Sequence, residues 1–165
     1  CALCDWRCGE RDEPVYEPAT KLRSYHQIVF AHGYFASALH EISHWCVAGK
    51  ERRLLEDFGY WYRPDGRSEQ QQKEFEQVEV KPQALEWLFS LASRRVFVAS
   101  ADNLSGEQCD DLAFRLAVSL QARHYLLHGL PTQAAMLLEE LKTVFGGKVS
   151  IDQLYWPEEQ PISAA

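Results

Sequence analysis

The chain has 165 residues, of which 46% are hydrophobic and 25% are charged, and this composition fits one globular domain with a sizeable core. Its net charge of −7 argues against a binder of phosphate backbones, and no apolar run approaches the length of a membrane span. Five cysteines, an odd number, argue against a disulfide framework, and the first residues lack the apolar core of a signal peptide. We therefore predict a cytoplasmic protein with no direct nucleic-acid partner and no membrane partner.

The first third of the chain predicts a short strand followed by a helix. Residues 1–24 are polar and proline-punctuated, and we interpret them as an N-terminal segment, with truncation ahead of Cys1 as one interpretation. A strand is expected at residues 25–30, before a turn. The first helix is expected to begin near Tyr34 and to end before Gly49. Its buried stripe is formed by three residues at helical spacing: Leu39, Ile42 and Cys46.

The middle of the chain combines an aromatic stretch with a long helical pattern. Residues 57–62 are aromatic and extended in character, and in the turn that follows Gly66 supplies a positive backbone angle. A polar helical stretch then runs from Ser68 to Pro82. We expect this proline to open or kink the helix that continues beyond it.

The last third predicts two more helices and a tail that packs back. One amphipathic helix should end at Gly129 and the next at Gly146, and the segment around Trp156 should return to the core. The fold class is thus mainly α with a few short strands (α+β). We predict a single compact domain over residues 25–157, followed by a tail at residues 158–165.

The most informative pattern is H-E-x-x-H, formed by His40, Glu41 and His44. On a helix, residues four apart lie on one face, so the two imidazoles can bind one metal ion. Imidazole suits zinc, iron, copper and nickel alike, so the pattern predicts a metal site without naming the metal. The alternative is two core-edge histidines bonded to backbone carbonyls, with Glu41 in solvent.

A carboxylate later in the chain is expected to complete this site. The candidates are Glu76 and Glu79, which share a helix face, and Glu86, which lies one or two turns further on. We favour Glu79, because a carboxylate at the start of a helix near Pro82 can reach a neighbouring helix, whereas Glu76 and Glu86 are more often solvated. The choice between Glu76 and Glu79 stays open. Two histidines and one carboxylate leave coordination positions free, as a catalytic metal requires.

A second pair of histidines, His124 and His128, has the same four-residue spacing. No carboxylate follows at a suggestive distance, and histidines in the last turn of a helix interact favourably with its negative end. We therefore assign no metal site to this pair.

Four segments together carry a resemblance to a known family: IVFAHG at 28–33, ASALHEISHWC at 36–46, DFGYWYRPDGR at 57–67 and VEVKPQALEW at 78–87. In these segments the chain closely resembles the bacterial elongation factor P hydroxylases. The likeness is dense from residue 25 to residue 91 and continues more loosely to residue 157. The cysteine-rich start departs from it.

The resemblance implies a non-haem iron enzyme that uses molecular oxygen to hydroxylate a lysine of elongation factor P, after a second lysyl group has extended that lysine. It maps the divalent metal, Fe(II), onto His40, His44 and Glu79, between the H-E-x-x-H helix and a following helix, and makes Glu41 a proton-managing catalytic group beside it. A long cationic side chain would suit the aromatic segment. Four residues are expected to bind the substrate. Asp57 and Asp65 would pair with the ammonium group, and Tyr60 and Trp61 would lie along the lysine side chain.

Two other classes of function remain open. H-E-x-x-H is foremost a signature of zinc metallopeptidases, in which Glu41 would be the general base and Glu79 the third ligand. A module that keeps its metal only for structure is less favoured, since structural sites usually have four protein ligands.

Overall fold

A three-stranded sheet opens the part of the chain that the computed structural model describes, namely residues 4–9, 15–31, 34–56, 66–100, 111–156 and 159. Its strands are β1 (Cys4–Gly9), β2 (Val15–Glu17) and β3 (His26–Ala31), in the order β1-β3-β2. Strand β1 runs parallel to β3, and β2 runs antiparallel to it. Tyr16 of β2 lies opposite Ile28 of β3, and both side chains are fully buried.

Four helices follow the sheet: α1 (Phe35–Val47), α2 (Glu69–Ala92), α3 (Asp111–His128) and α4 (Thr132–Phe145). Short 3₁₀ helices lie at Arg52–Leu54 and Ile151–Gln153. The strand at 25–30 and the helix ends near Gly129 and Gly146 are confirmed, and both glycines have the positive φ that helix termination favours. Strands β1 and β2 were not predicted, because they arise from a polar stretch of sequence and pair only with a distant segment.

Helix α2 is the central element, since it packs against α1, α3 and α4. It begins at a capping box, in which the Gln71 backbone N–H donates to Ser68 Oγ and the Ser68 N–H donates to Gln71 Oε1. The first half is largely exposed, whereas residues 82–90 are all buried.

Pro82 lies inside this helix, so it does not open a new one, and the alternative, that it kinks the helix, stays a prediction. A proline in a helix removes one backbone N–H and crowds the preceding turn, which costs about 3 kcal/mol. Because Pro82 and residues 83–90 are buried in a helix that packs against three others, tertiary packing offsets that cost and the helix continues to Ala92.

The C-terminal segment packs back onto the helices, as predicted. The Trp156 indole N–H donates to the Arg115 carbonyl at 2.7 Å, and its ring lies against Trp87 with centroids 4.5 Å apart. Phe97 also stacks on Trp87, with ring centroids 5.3 Å apart. These contacts join the tail to one continuous core, so the described elements form a single compact domain that is mainly α.

The lengths and compositions of the helices also bear on membrane insertion. Within the described ranges, none combines the length and the apolar composition needed to cross a membrane.

Candidate metal centre

Two helices bring three potential metal ligands together. Helix α1 carries His40 and His44 one turn apart on the flank of its buried stripe, and α2 presents Glu79 to both. The two Nε2 atoms lie 3.0 Å apart, and Glu79 Oε1 lies 3.2 Å from His44 Nε2. Glu79 Oε2 lies 3.6 Å from His40 Nε2.

These separations fit a single bound cation. Two ligand atoms that each lie about 2.1 Å from one ion can be no more than about 4.2 Å apart. The three distances between His40, His44 and Glu79 all satisfy this limit. Two imidazoles and one carboxylate also match the donor set of catalytic transition-metal sites.

Glu79 is a buried carboxylate that stays ionised. Only 3% of its surface is exposed, and burial by itself disfavours the charged form. The charges and hydrogen bonds of its neighbours outweigh burial and lower the pKa of Glu79 to about 2, with His44 the largest contributor. His40 and the amide of Gln83 add to this effect. A candidate ligand that is negatively charged at neutral pH therefore lies beside two imidazoles.

The pKa of His40 is shifted in the opposite direction, toward the charged form of the imidazole. Burial lowers its pKa, but the hydrogen bond from Nδ1 to Glu86 and the charges of Glu79, Glu86 and Glu41 raise the pKa of His40 to about 10. The site thus stabilises positive charge strongly. A proton on His40 can supply that charge, and so can a divalent cation bound at the same place.

The carboxylates named in the sequence analysis occupy different places. Glu79 lies in the third turn of α2 rather than at a helix start. Glu76 is half-buried and accepts a hydrogen bond from Gln72 Nε2 at 3.0 Å. The expectation that Glu86 is solvated is wrong, because its side chain is 12% exposed and lies 2.9 Å from His40 Nδ1. Asp57, Tyr60, Trp61 and Asp65, expected to bind substrate, lie outside the described residues.

A cavity of about 340 Å³ is lined by two of the three candidate ligands, His40 and Glu79. Three carboxylates face it, from Glu41, Glu79 and Glu86, and no lysine or arginine is among its described lining residues. The remaining lining residues are small, apolar or uncharged: Ala36, Ser37, Phe75, Gln83, Val98 and Ser100. Together with His40, they form a pocket that suits a cationic group at the end of an apolar chain.

Two buried residues lie beside the candidate ligands: Gln83, which was not identified from the sequence, and Glu86, which was considered there only as a less favoured third ligand. Glu86 contacts His40, and Gln83 donates to Glu79 Oε2 at 3.3 Å. The spacing 79, 83 and 86 places all three side chains on one face of a helix, and this was the available signal. It indicates a shared face but not which neighbouring helix that face meets.

Comparison with known proteins places the chain beside the elongation factor P hydroxylases. The family model for elongation factor P hydroxylase matches residues 7–155 of the chain. The elongation factor P lysine hydroxylase of Haemophilus influenzae is 52% identical over 141 residues, which cover 86% of this chain and 79% of that protein. Both strands β2 and β3, all four helices and the residues of the candidate centre fall within the range that the family model matches.

Proposed function

The chain belongs to the elongation factor P hydroxylase family, and from this premise we propose that it hydroxylates a lysine side chain of elongation factor P. The observation that carries the proposal is the meeting of His40, His44 and Glu79, of which His40 and Glu79 line an acidic cavity. We propose that the substrate is the lysine already extended by a lysyl group, and that the reaction takes place in the cytoplasm, where a translation factor is found.

We assign the metal to His40, His44 and Glu79 and propose that it is Fe(II), with molecular oxygen as the co-substrate. Two histidines and one carboxylate with free positions are typical of non-haem Fe(II) oxygenases. When bound, ferrous iron would supply the means to activate oxygen toward an unactivated C–H bond.

The chain itself would bind and orient the substrate. The carboxylates of Glu41 and Glu86 give the cavity a negative potential that favours an ammonium group, and Phe75 and Val98 offer apolar surface for methylene groups. We assign to Glu41 the handling of a proton beside the metal, because it lines the cavity and its charge acts on His40. The substrate contacts of Asp57, Tyr60, Trp61 and Asp65 remain predictions from the sequence. We also propose residues 25–157 as the catalytic domain, to which strands β1 and β2 of the preceding segment are joined through their pairing with β3.

The direct test is the intact mass of the substrate. Iron-loaded protein, incubated under air with a reductant and lysyl-lysine-modified elongation factor P, should add one oxygen atom. The variant His44→Ala should add none, because it removes a ligand. The matched control is His124→Ala, an exposed histidine of α3 away from the candidate centre, which should retain activity. Absence of any mass gain with the wild-type protein would reject the proposal.

The same side chains also match a hydrolytic zinc site, and this is the second candidate function. Glu41 follows His40 in the chain and lines the same cavity, as a general base acting on a metal-bound water would. Family membership favours the hydroxylase. Cleavage of an unmodified peptide by the zinc-loaded protein would favour the peptidase instead.

A further inference from the structure

A buried carboxylate holds the ring of His40 from the side away from the other ligands. Glu86 Oε2 lies 2.9 Å from His40 Nδ1, while His40 Nε2 faces His44 Nε2 at 3.0 Å and Glu79 Oε2 at 3.6 Å. The Glu86 side chain is 12% exposed. The two nitrogens of one imidazole thus have different surroundings, with a single carboxylate on Nδ1 and the candidate metal position at Nε2.

This contact determines which ring nitrogen keeps its proton when the imidazole is neutral, as it must be to bind a metal. An ionised carboxylate can only accept hydrogen bonds, so His40 Nδ1 must donate to Glu86. In a neutral imidazole the other nitrogen, Nε2, then presents its lone pair. That lone pair points to the side where Glu79 and His44 lie. The carboxylate therefore selects the tautomer that can bind a metal through Nε2.

The same contact also fixes the orientation of the ring. Glu79 and Glu86 are seven residues apart on α2, so they lie two turns apart on one face of a continuous helix. One rigid element thus presents a carboxylate to each nitrogen of His40, which is carried by α1. Rotation of the imidazole would break the hydrogen bond to Glu86 and leave a buried carboxylate without that donor.

We propose that Glu86 is a positioning residue of the metal centre: it holds His40 with its proton on Nδ1 and Nε2 aimed at the metal, without being a ligand itself. The inference rests on the proposed function in so far as the cation is the catalytic metal. A carboxylate on the second nitrogen of a ligating histidine also makes that ligand more basic, and its removal typically weakens metal binding or activity about ten- to a hundredfold.

The first experiment measures the affinity of the purified full chain for Zn²⁺ by competition with a chelator of known affinity. Glu86→Gln keeps the size of the side chain and loses the charge, and it should weaken Zn²⁺ binding by roughly ten- to a hundredfold. The matched control is Glu159→Gln, since the Glu159 side chain is 10% exposed and is paired with Arg123, but is not a lining residue of the cavity. This control should leave the Zn²⁺ affinity unchanged.

The outcomes separate this inference from the proposed function. Equal Zn²⁺ affinity in the wild type and in Glu86→Gln would overturn the role of Glu86 while leaving the metal site in place. Absence of Zn²⁺ binding by the wild type would overturn the metal centre itself, and the inference with it. Equal weakening in Glu86→Gln and Glu159→Gln would indicate a general loss of stability and would also overturn the inference.

A second measurement needs no variant that might misfold. Long-range ¹H–¹⁵N correlation spectra of the Zn²⁺-loaded wild type report the protonation of each imidazole nitrogen. We expect His40 to carry its proton on Nδ1 and to bind Zn²⁺ through Nε2. A spectrum in which Nδ1 binds the metal would overturn the proposal, whatever the variants do.

Discussion

Gln83 holds Ser100 by both of its backbone polar groups. The Gln83 amide donates to the Ser100 carbonyl at 2.6 Å, and the Ser100 N–H donates to Gln83 Oε1 at 3.0 Å. The same amide lies 3.3 Å from Glu79 Oε2. One buried side chain of α2 therefore connects a proposed metal ligand to the segment that forms a wall of the cavity, in which Val98 and Ser100 take part.

Replacing Gln83 by leucine should destabilise the fold. The change keeps the approximate size of the side chain but removes three hydrogen bonds and leaves the backbone groups of Ser100 without this partner, which we expect to cost about 1–3 kcal/mol. Urea denaturation followed by circular dichroism gives the free energy of unfolding. The control Gln70→Leu, at an exposed position of the same helix, should change it by less than about 0.5 kcal/mol. Similar values for the two variants would contradict the structural role of Gln83.

The stability of the metal-free protein should depend on pH on both sides of an optimum. The pKa of His40 is raised from 6.5 to about 10, so its contribution is complete below pH 6.5 and is lost as the pH rises toward 10. The pKa of Glu79 is lowered from 4.5 to about 2, so its contribution is complete above pH 4.5 and is lost as the pH falls toward 2. The contribution of this pair should therefore be greatest between pH 4.5 and pH 6.5.

Denaturation midpoints measured in the presence of a chelator, over a series of pH values, test this expectation. The variant His40→Asn lacks the titrating imidazole and should lose the part of the decline that lies between pH 6.5 and pH 10. If the wild type and this variant declined equally over that interval, His40 would not be the group responsible.

Glu41→Gln distinguishes the two candidate chemistries. If the protein is a hydroxylase, the variant should keep its metal and hydroxylate the substrate at least about tenfold more slowly, because Glu41 acts beside the ligands rather than as one of them. Elemental analysis of the variant measures whether it keeps its metal, and the mass of the substrate measures how fast it is hydroxylated. The peptidase alternative makes a different prediction: the wild type would hydrolyse a peptide, and Glu41→Gln would do so about 100-fold or more slowly. That result would identify Glu41 as a general base.

Gly147 is required for the close packing of the C-terminal segment on the end of α2. Its N–H donates to the Ala92 carbonyl at 3.1 Å, and a Cβ at this position would collide with the carbonyl oxygens of Leu91 and Ala92. We expect Gly147→Ala to destabilise the fold by about 1–3 kcal/mol, as overpacking does. The control is Gly49→Ala, because a Cβ added at Gly49 would meet no neighbouring atom within 4 Å. The melting temperatures of both variants, measured by thermal unfolding, test this expectation. A melting temperature of Gly147→Ala equal to that of the wild type would refute it.

The amino-acid sequence by itself determined the local features of this protein. Residues four apart on one helix lie on one face in any fold, so the pairing of His40 with His44 followed from their spacing. Helical periodicity and terminal glycines predicted the ends of α3 and α4 for the same reason, since both are properties of a few neighbouring residues.

Only the tertiary structure decided which distant groups meet. The face of α2 that contacts α1 depends on how a central helix packs against three others, and this packing brought Glu79 and Glu86 to opposite nitrogens of His40. The same packing allows α2 to continue past Pro82, because the free energy gained by burying this part of the helix outweighs the loss of one backbone hydrogen bond. Strands β1 and β2 could likewise be recognised only from their pairing with β3. Backbone hydrogen bonds between distant segments do not depend on a local residue pattern, so a polar sequence does not predict them.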